Sequence, residues 1–203
     1  MERVREGEAR VKFQAERIGP LSARPGAEAQ RLCDAIAWMA ETGLSPVLED
    51  GAFAGNAALV EGDVLYVSPS GRRVPKLEPS ELIEVVSFDA TSWRMTFRSN
   101  EALAMPTSDA PLHFAILREA TRARASLHGH VLTSDADSRR TGLPISAEAT
   151  LFSTPEDREG LLALITAYPH PAYDAWIRRD HGVFVVAADV MNAVRRLDAL
   201  RAR

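Results

Sequence analysis

Residues 126–132 read SLHGHVL, two histidines one residue apart inside an apolar run. In an extended strand, side chains alternate, so His128 and His130 face the same side with α-carbons roughly 6.5–7 Å apart. Two imidazoles leaning together from that spacing can share one divalent metal at about 2.0–2.1 Å per nitrogen. The bland alternative is a pair of histidines hydrogen-bonded in a polar cleft. A third ligand separates the two readings, and the chain holds five histidines in all. His113 lies four residues after Asp109 on one helix face, a packing position. His170 sits between prolines in YPHPAY. His181 precedes Gly182 at the entry to the apolar run GVFVV, where a side chain faces a cleft, and the pattern favours it.

Two further stretches are suited to an anion. SPSG at 68–71 is a Ser/Gly turn that presents backbone N–H groups and a hydroxyl. PTSD at 106–109 offers two hydroxyls and free amides where a helix begins. Such residues also serve as ordinary helix caps and turns. Asn56, after Gly55, adds a side-chain amide. A metal beside two anion cradles points to a phosphorylated substrate whose carbonyl or hydroxyl meets the metal.

The composition sets the frame for this chemistry. The chain has 203 residues, 46% hydrophobic and 26% charged, as in an ordinary globular protein. A net charge of −4 argues against nucleic acid as a partner. No run approaches the ~18 apolar residues of a membrane span. MERVREGEARVKFQ alternates charges without the apolar core of a secretory signal. The lone Cys33 leaves no disulfide framework, and a reducing cytoplasm is the expected location.

The elements that would position these residues follow from periodicity. Residues 1–27, with Pro20, Pro25 and scattered charge, read as an arm or loosely packed lead-in to a domain over 28–203. In AQRLCDAIAWMAETG, Leu32, Ile36, Met39 and Ala40 recur at helical spacing, with Gly43 just beyond the end. SPVLED, NAALVEG, DVLYVSPS, LIEVVSF and SWRMTFR read as short strands joined by tight turns, so a largely antiparallel sheet is expected. PTSDAPLHFAILREATRAR reads as a helix capped by Thr107 or Ser108. RASLHGHVL and HGVFVVA read as strands. STPEDREGLLALITAY and DVMNAVRRLDALRAR read as helices, the first capped by Ser153 or Thr154 and opened by Pro155.

Taken in order, Gly55-Asn56, Ser68-Pro69-Ser70-Gly71, Pro106-Thr107-Ser108-Asp109 with His113, His128-Gly129-His130 and His181-Gly182 resemble the class II aldolase/adducin family. The likeness runs from about residue 30 to the C-terminus. Members include fuculose-phosphate aldolase, ribulose-phosphate 4-epimerase and methylthioribulose-phosphate dehydratase. The resemblance implies an α/β fold of three layers, α/β/α, with a mainly antiparallel central sheet, and a homo-oligomer, usually a tetramer. It implies zinc, or another divalent metal, on His128, His130 and His181, and a substrate phosphate held by Asn56, Ser70, Gly71, Thr107 and Ser108. Asp109 stands where the family generally has Glu, a carboxylate that can ligate the resting metal and move protons. The implied activity is cleavage of a small sugar phosphate through a metal-stabilised enediolate. The same scaffold also serves epimerases, dehydratases and adducin-like binding proteins without catalysis.

Overall fold

The computed structural model describes residues 10–202; residues 1–9 of the expected lead-in lie outside the described residues. Eight strands form one sheet: β1 (Gln14–Arg17), β2 (Asn56–Glu61), β3 (Val64–Val67), β4 (Ile83–Asp89), β5 (Arg94–Arg98), β6 (Ala125–Gly129), β7 (Ala175–Arg178) and β8 (Gly182–Ala187). Their spatial order is β1-β5-β4-β3-β2-β6-β8-β7. Every pairing is antiparallel except the parallel edge pair β1–β5. Among the described residues there are five α-helices: α1 (Ala27–Glu41), α2 (Ala110–Phe114), α3 (Asp135–Thr141), α4 (Pro155–Ala167) and α5 (Val190–Arg201).

The period-2 alternation of the strands divides the core in two. Ala57 and Leu59 of β2, Leu127 of β6, and Val183 and Val185 of β8 pack against α1 and α5. The intervening residues, Ala58, Val60, Phe184 and Val186, pack against α2, α4 and the stretch between them. Helices thus cover both faces of a mainly antiparallel sheet, the α/β/α arrangement expected. On α1, Leu32, Ile36 and Met39 are buried as their spacing predicts. Cys33 lies there too, and burial pushes its thiol up to about 12, so it stays unionised.

Several elements differ from the sequence reading. SPVLED is not a strand: Pro46 and the Asp50-Gly51 turn leave only an isolated bridge between Val47 and Phe53. The helix read over 106–124 begins at Ala110, passes into a π-helical stretch at Ala115–Ala120 and ends there. Its cap position is Asp109, not Thr107 or Ser108, and no side chain caps it. The lead-in is not loose throughout, since Gln14–Arg17 adds a strand to the sheet edge. β7 and α3 had no expected counterpart. AWIR is too short to show a period, and in α3 only Thr141 is buried. Among the described residues, no helix is long and apolar enough to cross a membrane.

Candidate metal centre and anion pocket

The antiparallel register lines up Asn56 of β2, His128 of β6, Phe184 of β8 and Trp176 of β7 across four central strands. All four are buried, facing the α2/α4 layer. His130 lies just past the end of β6 and His181 just before β8, at the same edge of the sheet. The ring centroids are 5.0 Å (His128–His130), 5.1 Å (His128–His181) and 4.8 Å (His130–His181) apart. One nitrogen from each ring lies within 4.8 Å of the others. The three residues chosen as metal ligands are therefore together in space.

Close backbone approach makes this convergence possible. A Cβ on Gly182 would stand 2.2 Å from the Gly129 carbonyl oxygen and 3.0 Å from His128 Cε1. On the other side, a Cβ on Gly55 would lie 2.8 Å from the His128 carbonyl oxygen, and its φ of +72° is one that glycine adopts freely. His128 is held from two directions. Phe184 stacks on its ring at 4.4 Å, and its Nδ1 donates to the Val183 carbonyl at 3.2 Å. That bond fixes the tautomer and leaves Nε2 with a bare lone pair. Nε2 is buried and has no hydrogen-bond partner. An orphaned buried acceptor is costly unless something meets it, and a divalent ion shared with the two neighbouring rings is a partner that fits His128 Nε2. Burial disfavours the charged form of two of these rings: it lowers His128 well below the ordinary imidazole value and His130 to about 3.

Asp109 sits beside this cluster and is fully buried. Its Oδ2 lies 3.6 Å from His128 Nε2 and accepts from Asn56 Nδ2 at 2.8 Å, while Arg178 approaches Oδ1 at 3.4 Å. Burial alone would raise its pKa, but Arg178, followed by the neighbouring imidazoles and the Asn56 bond, holds it well below the usual carboxylate range. Because Asn56 turns its NH₂ to this anion, its Oδ1 faces His113 Nε2 at 2.7 Å, and His113 Nδ1 meets the Ser126 hydroxyl. His113 is thus a satisfied interior residue and not a ligand, and burial lowers it to about 4. The Asn56 amide is committed within the interior at both ends.

Above the imidazoles opens a cavity of about 310 Å³ lined by Asn56, Ser70, Gly71, Thr107, Ser108, Asp109, His130 and His181. The two anion turns meet there although 34 residues, 72–105, lie between them in sequence. Pro69 and Pro106 form a bridge, Ser70 N–H donates to the Met105 carbonyl at 2.8 Å, and Thr107 N–H donates to the Ser68 carbonyl at 3.0 Å. Gly71, with φ +68°, makes the sharp turn at the rim. Sequence reasoning missed Arg178 and Asp157, an ion pair buried behind the site. The signal was present as a charge within the apolar run AWIR. It also missed Arg10 and Phe152, which line the same cavity.

Comparison with known proteins agrees with this architecture. The family model described as Class II Aldolase and Adducin N-terminal domain matches residues 30–202. An L-fuculose phosphate aldolase of Methanocaldococcus jannaschii is 26% identical over 159 residues, covering 72% of this chain and 79% of that protein. Among solved structures, an L-fuculose 1-phosphate aldolase superposes with a TM-score of 0.61 at 16% identity, covering 89% of this chain and 86% of the other. A sugar-phosphate aldolase from Thermotoga maritima gives a TM-score of 0.64 at 16% identity, with 86% and 90% coverage.

Proposed function

Because the chain belongs to the class II aldolase and adducin family, we propose that it is a divalent-metal-dependent aldolase that cleaves a small sugar phosphate. One observation carries the reading: three imidazoles converge beside a cavity that His130 and His181 line, and whose wall holds two clamped turns rich in hydroxyls and N–H groups. His128, His130 and His181 would hold the ion, zinc or another divalent metal, which when bound supplies Lewis acidity toward a carbonyl or hydroxyl oxygen. Ser70, Gly71, Thr107 and Ser108 would take the phosphate, leaving the opposite end of the substrate over the imidazoles. Binding energy from that remote group fixes the orientation of the reacting carbons. Asn56 contributes by holding Asp109, since its amide is already engaged. Asp109, held ionised by Arg178 and its other neighbours, is a weak base and sets its negative charge beside the imidazoles.

A second reading draws on the same carboxylate. Its engagement by Asn56 and Arg178 limits its freedom to move protons, which favours an epimerase or dehydratase with another proton carrier, or an adducin-like binding protein that retains the metal. Elemental analysis of purified protein, with a screen of ketose phosphates for aldehyde release before and after chelation, separates these readings. Aldehyde release lost on chelation supports the aldolase. Bound metal with no aldehyde release favours the second reading, and a ketose phosphate altered without fragmentation identifies the isomerising or dehydrating branch. Protein that takes up no divalent metal overturns the proposal.

A further inference from the structure

Arg178 ends β7, in a strand whose other residues are Ala175, Trp176 and Ile177, and it is only 3% exposed. A fixed positive charge buried near three imidazoles built for a cation opposes that cation, so its placement calls for a reason. Two carboxylates share it. One guanidinium nitrogen reaches both oxygens of Asp157, and another lies 3.4 Å from Asp109 Oδ1. Asp157 is itself anchored by the Thr150 hydroxyl at 2.8 Å and the Ser153 N–H at 3.3 Å. The other oxygen of Asp109 is held from the opposite side by Asn56 at 2.8 Å, and Asn56 is held by His113 at 2.7 Å. Each oxygen of Asp109 is thus tied to a different part of the fold. Oδ2 stands 3.6 Å from His128 Nε2, yet the carboxylate does not join the cluster formed by the three rings. An unrestrained carboxylate this close to a dication would bind it.

We infer that Arg178, backed by Asp157, is a positioning residue that keeps the Asp109 carboxylate out of the ion's coordination sphere. The three imidazoles would then hold the ion without the carboxylate, beside the cavity that His130 and His181 line. The two aspartates and the arginine together leave one negative charge beside the site, which offsets part of the dication without ligating it. The inference rests on the metal reading proposed above.

The test removes the restraint while keeping the net charge of the group, since the two deleted charges cancel; zinc then becomes the counter-ion of the buried Asp109 carboxylate. In the double variant R178M/D157N, a crystal structure of the zinc-loaded protein is expected to show an Asp109 oxygen at about 2.0–2.2 Å from the ion. In the unaltered protein, both oxygens are expected to stay outside bonding distance. Chelator competition is expected to read zinc at least tenfold tighter in the double variant, and Asp109→Asn in that background is expected to cancel the gain. Arg178→Lys keeps the charge but loses the fork. It is expected to tighten zinc by a smaller factor, and it decides the matter if the double variant does not fold. Asp109 already bound to zinc in the unaltered protein overturns the inference, as does zinc affinity within twofold across the variants. Unaltered protein that takes up no zinc withdraws the metal reading itself, an outcome distinct from these.

Discussion

His113 has both ring nitrogens engaged, with Asn56 and with Ser126, and no accessible surface. It must enter the interior neutral. Its folded-state pKa is about 4 against an ordinary 6.5, so between those values the unfolded chain binds a proton that the folded chain does not. Stability therefore rises with pH across that window and is lost as pH falls from about 6.5 to 4, at about 1.4 kcal/mol per pH unit for one such group. His128 and His130 shift in the same direction and steepen the slope in metal-free protein. Urea titrations of chelated protein at several pH values in this range should show the midpoint falling with acid. His113→Gln, which does not titrate, should remove about one proton's share of the slope. At His181, half-buried at the cavity, substitution by Ala should lower bound zinc at least tenfold in elemental analysis with little change in Tm, since an open metal site is seldom the main support of a fold. Asp109→Glu places an extra methylene in a fully buried, fully bonded position. Overpacking of that kind costs roughly 1–3 kcal/mol, so a thermal melt should show a Tm lowered by several degrees.

The strands matter here through their register and their glycines. The row Asn56–His128–Phe184–Trp176 exists because β2, β6, β8 and β7 pair without an offset. Gly182 keeps β8 close enough for Val183 to take the proton of His128 Nδ1. Gly182→Ala would drive a methyl into the Gly129 carbonyl, forcing β6 and β8 apart and releasing that bond. Chelator competition should then read weaker zinc binding, accompanied by a loss of roughly 1–3 kcal/mol in urea unfolding. The same elements mark how far the sequence could be read. HGH and HG announced a cluster of histidines with metal-ligand spacing because period-2 alternation and the chemistry of imidazole are local properties. Leu32, Ile36 and Met39 announced α1 for a similar reason, through the 3.6-residue period. Arg178 stood out as a charge in an apolar run, but its pairing with Asp157 was silent, because the partners come from β7 and α4 and nothing in either segment names the other. The π-helical stretch at Ala115–Ala120 was silent too, since its apolar spacing matches that of an ordinary helix.

At the scale of the molecule, the histidine cluster and the two hydroxyl-rich turns lie where central strands end, between two cores that together cover both faces of the sheet. The expectation of a three-layer fold survived the misread SPVLED and the unforeseen strand Gln14–Arg17 because it depended on alternation in the inner strands. The outermost strand, Gln14–Arg17, is mostly exposed and carries no such pattern, so its place at the edge was not legible. Hydrogen exchange should release the amides of β1 well before those of β6 and β8, which are flanked on both sides.

The path of these first described residues has a mechanical consequence. The backbone N–H of Lys12 is tied to Ser153, its ammonium lies 3.4 Å from the centre of the Phe152 ring, and a few residues later the chain is stitched to β5. Arg10, just upstream, reaches the cavity wall and pairs with Asp50. The lead-in is therefore a belt buckled at one end beside the mouth of the cavity and at the other along the far hem of the sheet. Slack let in at the hem is felt at the mouth, while the imidazoles, fastened to inner strands, keep their places.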